Sequence, residues 1–285
     1  MNGFFASQPV QTALIVGALV AAVSGLVGVF TVLRRQSFAG HALADLGAVG
    51  GSAAFLLGIS QLWGFVGAGI LAAALMELIG IKRVQGRDVA TGIVFGLGLG
   101  FTALFLYWDT TVKNASNAAI SVLFGSLFVI DPTIVPLVLV LSLIASLIVV
   151  VFYRWMLVDS LSQDLAAVRH IPVRLTGILF LVALALAVEL SALTIGAVLS
   201  TALLIGPAAA ALRLTRRVGF AAIIAMAIGV VSTWLGILIS YDSYRWFGGG
   251  HSWPVSFCIV AVVFVAYLLS GIALPVRARR ARLVL

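Results

Sequence analysis

Arg34-Arg35-Gln36-Ser37-Phe38-Ala39-Gly40-His41-Ala42-Leu43-Ala44-Asp45-Leu46-Gly47-Ala48-Val49-Gly50-Gly51 lies between two apolar runs. The paired arginines stop the first run and the second begins almost at once, which describes a short turn between two membrane-spanning helices. The second run carries His41 and Asp45, which a helix sets on one face about one turn apart. An aspartate at the bilayer centre costs roughly 2.5–3.5 kcal/mol on insertion scales, so such a residue is seldom carried without a use. The pair is therefore a candidate for handling a substrate.

Composition supports the membrane reading. Of 285 residues, 63% are hydrophobic and 9% charged, and mean hydropathy is +1.23. No soluble core has room for so much apolar side chain. The net charge of +8 would point to nucleic acid in a soluble protein; here its distribution points to topology, and no nucleic-acid partner is expected. The single cysteine, Cys258, supports neither a disulfide framework nor a thiolate metal site. Met1 to Gln11 lacks the basic start of a cleaved signal peptide, so the first span is expected to be retained.

Nine apolar runs are expected to be spans, at 12–33, 37–58, 62–81, 88–107, 133–153, 174–190, 192–212, 218–240 and 254–274. The expected class is an all-α polytopic integral membrane protein, a single domain over 1–285 with eight to nine transmembrane helices. With the N-terminus outside, the inner loops hold Arg34, Arg35, Lys82, Arg83, Arg87, Arg154, Arg169, Arg174, Arg213, Arg216, Arg217, Arg277, Arg279, Arg280 and Arg282. Those are fifteen of the seventeen Lys and Arg; only Lys113 and Arg245 fall outside. The opposite orientation breaks the positive-inside rule at every loop, so the C-terminus is expected in the cytoplasm.

Three connections stand out. The outer segment 114–130 is too short and interrupted for a span and predicts an interfacial or re-entrant helix stopped by Asp131-Pro132. The inner loop from Arg154 to Arg174 contains a short helix with an N-cap at Ser160 or Ser162. It suits docking to a soluble partner; an ordinary connector is the other reading. The sixth and seventh spans are expected to join around Glu189-Leu190-Ser191. The 29 glycines, as in Gly47-x2-Gly50-Gly51 and Gly92-x3-Gly96-x-Gly98-x-Gly100, allow close helix packing, and helix sliding during transport is the alternative.

Of the motifs that carry chemistry, no G-x4-G-K-[ST] loop is present, so nucleotide is not bound in the P-loop manner, and no H-E-x-x-H occurs. His251 and His170 fall in loops, leaving His41 at membrane depth. His41 and Asp45 read either as a packing pair or as metal ligands, an imidazole–carboxylate set suited to divalent ions such as Zn²⁺ or Mn²⁺. Two ligands are too few for a selective site, and a twofold dimer would supply four. Glu77 and Glu189, near span ends, are expected to face the membrane interface.

The chain resembles the ABC-3 family, the permease subunits of bacterial ABC-type zinc, manganese and iron uptake systems. Arg34, Arg35, Ser37, Phe38, Gly40, Ala42, Leu43 and Gly50 match the motif R-R-x-S-F-x-G-D-A-L-S-H-A-x-x-P-G. Asp88, Ala90, Gly92, Ile93 and Phe95 match D-x-A-x-G-I-x-F, and Leu123-Phe124-Gly125 matches L-F-G. Asp164 to Val173 is similar to D-x-x-x-A-x-x-x-G-x-P-V, keeping Pro172 and Val173. Gly196 to Ala209 is similar to G-x-L-L-x-S-A-L-L-I-x-P-A-A. The chain departs from the family in having His41 before Asp45 where the family has Asp before His, Val49 for a proline, His170 for a glycine and Thr201 for a serine.

The resemblance implies a permease that dimerises about a pore in the bacterial inner membrane. A cytoplasmic ATPase subunit would dock on a coupling segment near 159–173, with Asp164, Ala167, His170 and Pro172. An extracytoplasmic binding protein would deliver zinc, manganese or iron, and His41 and Asp45 would be the metal positions. The transported ion would be the cargo, with no permanent cofactor and no catalysis on this chain. Gly206-Pro207 is expected to break the seventh span near its cytoplasmic end and to serve gating. Two rivals fit less well: a secondary transporter should show repeated halves, which are not evident, and an intramembrane enzyme needs a convergent catalytic set.

Overall fold

The computed structural model describes residues 7–78, 87–125, 127–246 and 252–282, with the backbone alone for 77–78, 87–95, 163–164 and 273–282. Twelve α-helices occur among them: α1 (Gln8–Leu33), α2 (Ser37–Leu57), α3 (Gln61–Leu78), α4 (Arg87–Thr111), α5 (Ala118–Phe124), α6 (Val135–Val151), α7 (Tyr153–Leu161), α8 (Gln163–Val168), α9 (Val173–Ile195), α10 (Ala197–Leu214), α11 (Val218–Ser243) and α12 (Val255–Arg282). Short 3-10 turns occupy Leu127–Val129 and Pro132–Ile134, and no strand is present among the described residues. Each of the nine expected spans has its helix. Seven are long and apolar enough to cross a membrane over their described residues, and the Gln61–Met76 part of α3 is a shorter apolar helix.

The turns explain where the helices stop. Arg35 adopts φ +55°, its N–H donates to the Val32 carbonyl at 3.1 Å, and the Gln36 N–H donates to Thr31 at 2.9 Å. This left-handed cap turns the chain from α1 into α2 within three residues. Gly58 ends α2 in the same left-handed region.

α1 and α9 form the centre and are buried along most of their length. A hydroxyl–hydroxyl hydrogen bond of 2.7 Å between Ser24 and Ser191 joins them. α2, α3 and α4 pack on one flank, α10, α11 and α12 on the other, and α6 beside both central helices. Because lipid is as apolar as leucine, close backbone approach is the main source of attraction between such helices. Gly50 of α2 and Gly64 of α3 accordingly pack against each other's carbonyl oxygens, with no room for a Cβ on either. The glycines of α4 differ: Gly98 meets Leu46, but Gly96 and Gly100 face open space.

The segment before α6 holds a seven-residue helix and two 3-10 turns among its described residues. α5 and the 3-10 turn after it bury Ala118, Val122 and Leu127. Gly125 (φ +81°) and Gly196 (φ +89°) abut, each against the other's neighbouring backbone. The 118–130 segment thus covers the turn between α9 and α10.

Two expectations are corrected. The sixth and seventh spans, α9 and α10, join at Gly196, not at Glu189–Ser191. Nothing in that tripeptide breaks a helix; the Ser191 hydroxyl donates to the Ala187 carbonyl at 2.8 Å, and only Gly196 supplies the positive φ that a sharp reversal requires. Second, α10 runs unbroken through Gly206 and Pro207. The donor that Pro207 lacks is tolerated because the helix is held on several sides, with Gly206 against Val263 of α12 and Ala208 and Ala211 packed with Val29 and Ala221.

Candidate functional site

α2 begins at Ser37 and carries the histidine–aspartate pair in its first three turns. Asp45 is eight residues, about 12 Å, from the helix start. Measured along α9 the site lies deeper. Gly40 sits against Leu184 and Val188, and Gly47 faces Glu189, which is roughly 24 Å beyond Val173. α2 therefore starts part-way along α9, where Arg34 meets Phe180, and not at the level of Arg174 at the start of α9.

His41 Nε2 and Asp45 Oδ2 are 3.7 Å apart, within ion-pair range but too far for a hydrogen bond. Their exposures differ sharply: the His41 side chain is 44% accessible and that of Asp45 8%. One helix turn thus offers an imidazole at an open face and a carboxylate directed inward. Together they provide one nitrogen and two oxygen donors for a borderline divalent ion. Among the described residues no three His, Cys, Asp or Glu side chains come together.

Glu189 is where sequence reasoning failed. Expected at an interface, its side chain is fully buried between α9, α2 and α3, with neither carboxyl oxygen hydrogen-bonded among the described residues. A Cβ at Gly47 of α2 or Gly69 of α3 would run into the carboxyl group. A signal was available in the tripeptide itself, which contains no Gly or Pro to end the helix, while a true glycine hinge follows at Gly196. For Glu77 only the backbone, in α3, is described, and His251 lies outside the described residues.

At the basic end the 153–172 segment forms two short helices. Ser162, rather than Ser160, is the N-cap of α8, accepting the Leu165 N–H at 3.3 Å; the Ser160 hydroxyl instead bonds back to the Met156 carbonyl. The helix closes on His170 at φ +56°, with the His170 N–H donating to Ala167 and the Ile171 N–H to Ala166, both at 3.0 Å. A left-handed residue is what this Schellman-type cap demands, and His170 occupies the glycine position of the pattern quoted above. Ala167, Val168, His170 and Pro172 are exposed, while of Asp164 only the α8 backbone is described. The apolar side chains Leu161, Leu165 and Val168 also stand exposed there.

One link was not legible in advance. Arg34 donates to Asp159 Oδ2 at 2.7 Å, both side chains being at least nine-tenths buried, and its guanidinium lies 4.6 Å from the centre of the Phe180 ring. It ties the α1–α2 turn to α7 and α9. Opposite charges 125 residues apart leave no local signature.

Comparison with known proteins gives the family. The model of the ABC 3 transport family matches residues 6–272. The chain is 30% identical to the manganese transport system membrane protein MntC of Listeria monocytogenes over 85% of each chain. It is 29% identical to the zinc transport system membrane protein TroC of Treponema pallidum, over 76% of this chain and 75% of that one. The solved structure of PsaBC from Streptococcus pneumoniae in complex with Fab superposes with a TM-score of 0.81 at 26% identity, covering 94% of this chain and 93% of that chain. With its bundle of membrane-crossing helices and the family's motifs on α2 and α10, this multi-pass membrane protein belongs to the ABC 3 transport family.

Proposed function

We propose that this chain is the permease subunit of an ATP-binding cassette importer for a divalent first-row metal ion, manganese or zinc. The observation that carries the reading is the α2 pair: a carboxylate buried in a membrane bundle, one turn from a partly accessible imidazole. Burying a carboxylate costs several kcal/mol in this setting, roughly as much as a good ligand returns when a cation passes, so the cost makes sense on a cation path. The names of the relatives, which include manganese and zinc systems, support the same cargo.

In this reading a homodimer brings two His41–Asp45 pairs to one pathway. A separate ATPase subunit docks at the 159–173 segment, where Leu161, Leu165, Val168 and the exposed Ala167, His170 and Pro172 form the free edge. Asp164 belongs to the same segment. An extracytoplasmic metal-binding protein presents the ion at the opposite end. The positive-inside pattern supports a basic end in the cytoplasm of a bacterial inner membrane, with the N-terminus outside. Gly206 and Pro207 are the gating step of α10: the donor missing at Pro207 makes this the point of the helix where bending breaks fewest hydrogen bonds.

Uptake of radioactive manganese into proteoliposomes holding this chain and its ATPase tests the reading. His41→Ala and Asp45→Ala should each reduce uptake about tenfold or more while the complex still assembles. Full uptake in both variants overturns the ligand assignment. Uptake that persists without the ATPase or ATP instead identifies a secondary transporter.

A further inference from the structure

Glu189 has no role in the pathway as described so far, yet its surroundings are built around it. The side chain is fully buried, and both carboxyl oxygens lack a hydrogen-bond partner among the described residues. Leaving a buried polar group unpaired is strongly unfavourable, and a leucine would fill the same space without that penalty. Two other helices are cut back to hydrogen where they meet it, α2 at Gly47 and α3 at Gly69. Gly47 follows Asp45 by two residues, so the part of α2 that carries the Asp45 carboxylate is the part packed against Glu189. A buried carboxyl without a hydrogen-bond partner among the described residues, facing two backbones that offer no side chain and close along α2 to a second carboxyl, is an arrangement suited to a cation.

We infer that Glu189 is a third metal ligand of the transport path, engaged when α2 and α3 shift against α9. The inference rests on the reading of His41 and Asp45 as ligands. The charge balance favours it: one divalent ion held by two carboxylates is neutral as a unit, whereas Asp45 alone leaves a net positive charge to be carried through an apolar interior. Two carboxylates and an imidazole also form a harder donor set than the α2 pair alone, one that suits manganese. The glycine faces are what permit the shift, since α2 and α3 slide over the carboxyl without a side chain catching on it. In the arrangement seen here the three groups are not assembled, so the ligand set forms and dissolves during the cycle. That is the behaviour a transport site needs and a storage site does not.

The experiment uses the complete complex with its ATPase in proteoliposomes and three variants, Glu189→Gln, Glu189→Asp and Glu189→Cys. Glu189→Gln preserves shape and removes the charged donor. It should leave assembly of the complex intact and change the manganese uptake parameters about tenfold or more. Glu189→Asp, which keeps the carboxylate, should restore part of that loss. Glu189→Cys should shift the ratio of cadmium to manganese uptake in favour of cadmium by about tenfold, because thiolate is a softer donor. A packing role predicts a different result: no change in metal preference in any variant, whatever the rate. Unchanged preference in Glu189→Cys together with uptake within about twofold of wild type in Glu189→Gln overturns the inference. So does loss of uptake in all three variants, or a Cys variant that is slow but unshifted. If Glu189→Gln fails to assemble, the cadmium ratio of Glu189→Cys decides. His41→Ala and Asp45→Ala run in parallel: if they lose uptake while the Glu189 variants do not, only this inference fails, and if they retain it, the pathway reading itself fails.

Discussion

At the scale of single residues, backbone conformation and the size of one side chain set the behaviour of the site. His170 holds φ +56° to close α8, and a left-handed non-glycine residue pays for this with a clash between its Cβ and backbone. His170→Gly should raise stability by about 0.5–1 kcal/mol after glycine's greater unfolded-state entropy is subtracted, seen as a higher midpoint of thermal denaturation in detergent. The same measurement separates two kinds of glycine. Gly47→Ala places a methyl group against the Glu189 carboxyl and should cost about 1–3 kcal/mol, whereas Gly96→Ala enters open space and should cost nothing. Equal effects at the two positions would contradict the packing described for α2. The small residues of the Gly47–Gly51 run were legible as packing positions; what they pack against was not. The partner of Gly47 is a carboxyl on a helix 142 residues away, and no local pattern announces it.

At the scale of elements, the important contacts lie where helices end. The Arg34–Asp159 pair makes one body of the α1–α2 turn, the α7–α8 segment and the lower part of α9. A movement of the docking segment therefore reaches the start of α2, which carries His41 and Asp45 in its next two turns. Because both charges are shielded from water, removing either leaves the other unpaired. Arg34→Ala or Asp159→Ala should each cost about 3 kcal/mol, and the double variant less than the sum of the two. In the assembled transporter each single variant should hydrolyse ATP at a rate less responsive to the metal-loaded binding protein. An additive double variant would show that the pair carries no coupling. At the other end, the mutual approach of Gly125 and Gly196 leaves no room for a Cβ, and both residues have positive φ. Gly125→Ala or Gly196→Ala should detach the 118–130 segment from the α9–α10 turn, read as faster proteolysis between α5 and α6. The spans themselves were legible because each is a long apolar run bounded by charge. Their ends were less so: the carboxyl of Glu189 looks like a boundary to a hydropathy window, although only backbone conformation at Gly196 makes one.

At the scale of the whole molecule, the membrane-spanning character follows from composition, and the direction proposed for the spans rests on the one-sided distribution of arginine; both are global properties of the sequence. The depth of a residue is not such a property. Asp45 lies about 12 Å from the start of its own helix yet at the level of a residue roughly 24 Å along its neighbour, because helices in a bundle slide relative to one another until side chains and glycines mesh. That displacement sets the α2 pair toward the end covered by the 118–130 segment and leaves the docking segment at the other. Orientation then decides the functional meaning: with the basic end in the cytoplasm, the pair sits beneath an outer cover and the docking helices face the ATPase. Cysteine labelling in intact cells settles this. Cys258 is buried and free, so a Cys258→Ser background is silent to a membrane-impermeant maleimide. Val129, 83% exposed beside α5, and Val168, 77% exposed on α8, are each suited to a single cysteine. Val129→Cys should label from outside without permeabilisation. Val168→Cys should label only after the membrane is opened, and less when the ATPase subunit is bound. The reverse pattern would put the fifteen inner-loop cations on the outer face and would remove the docking role of the 159–173 segment with them.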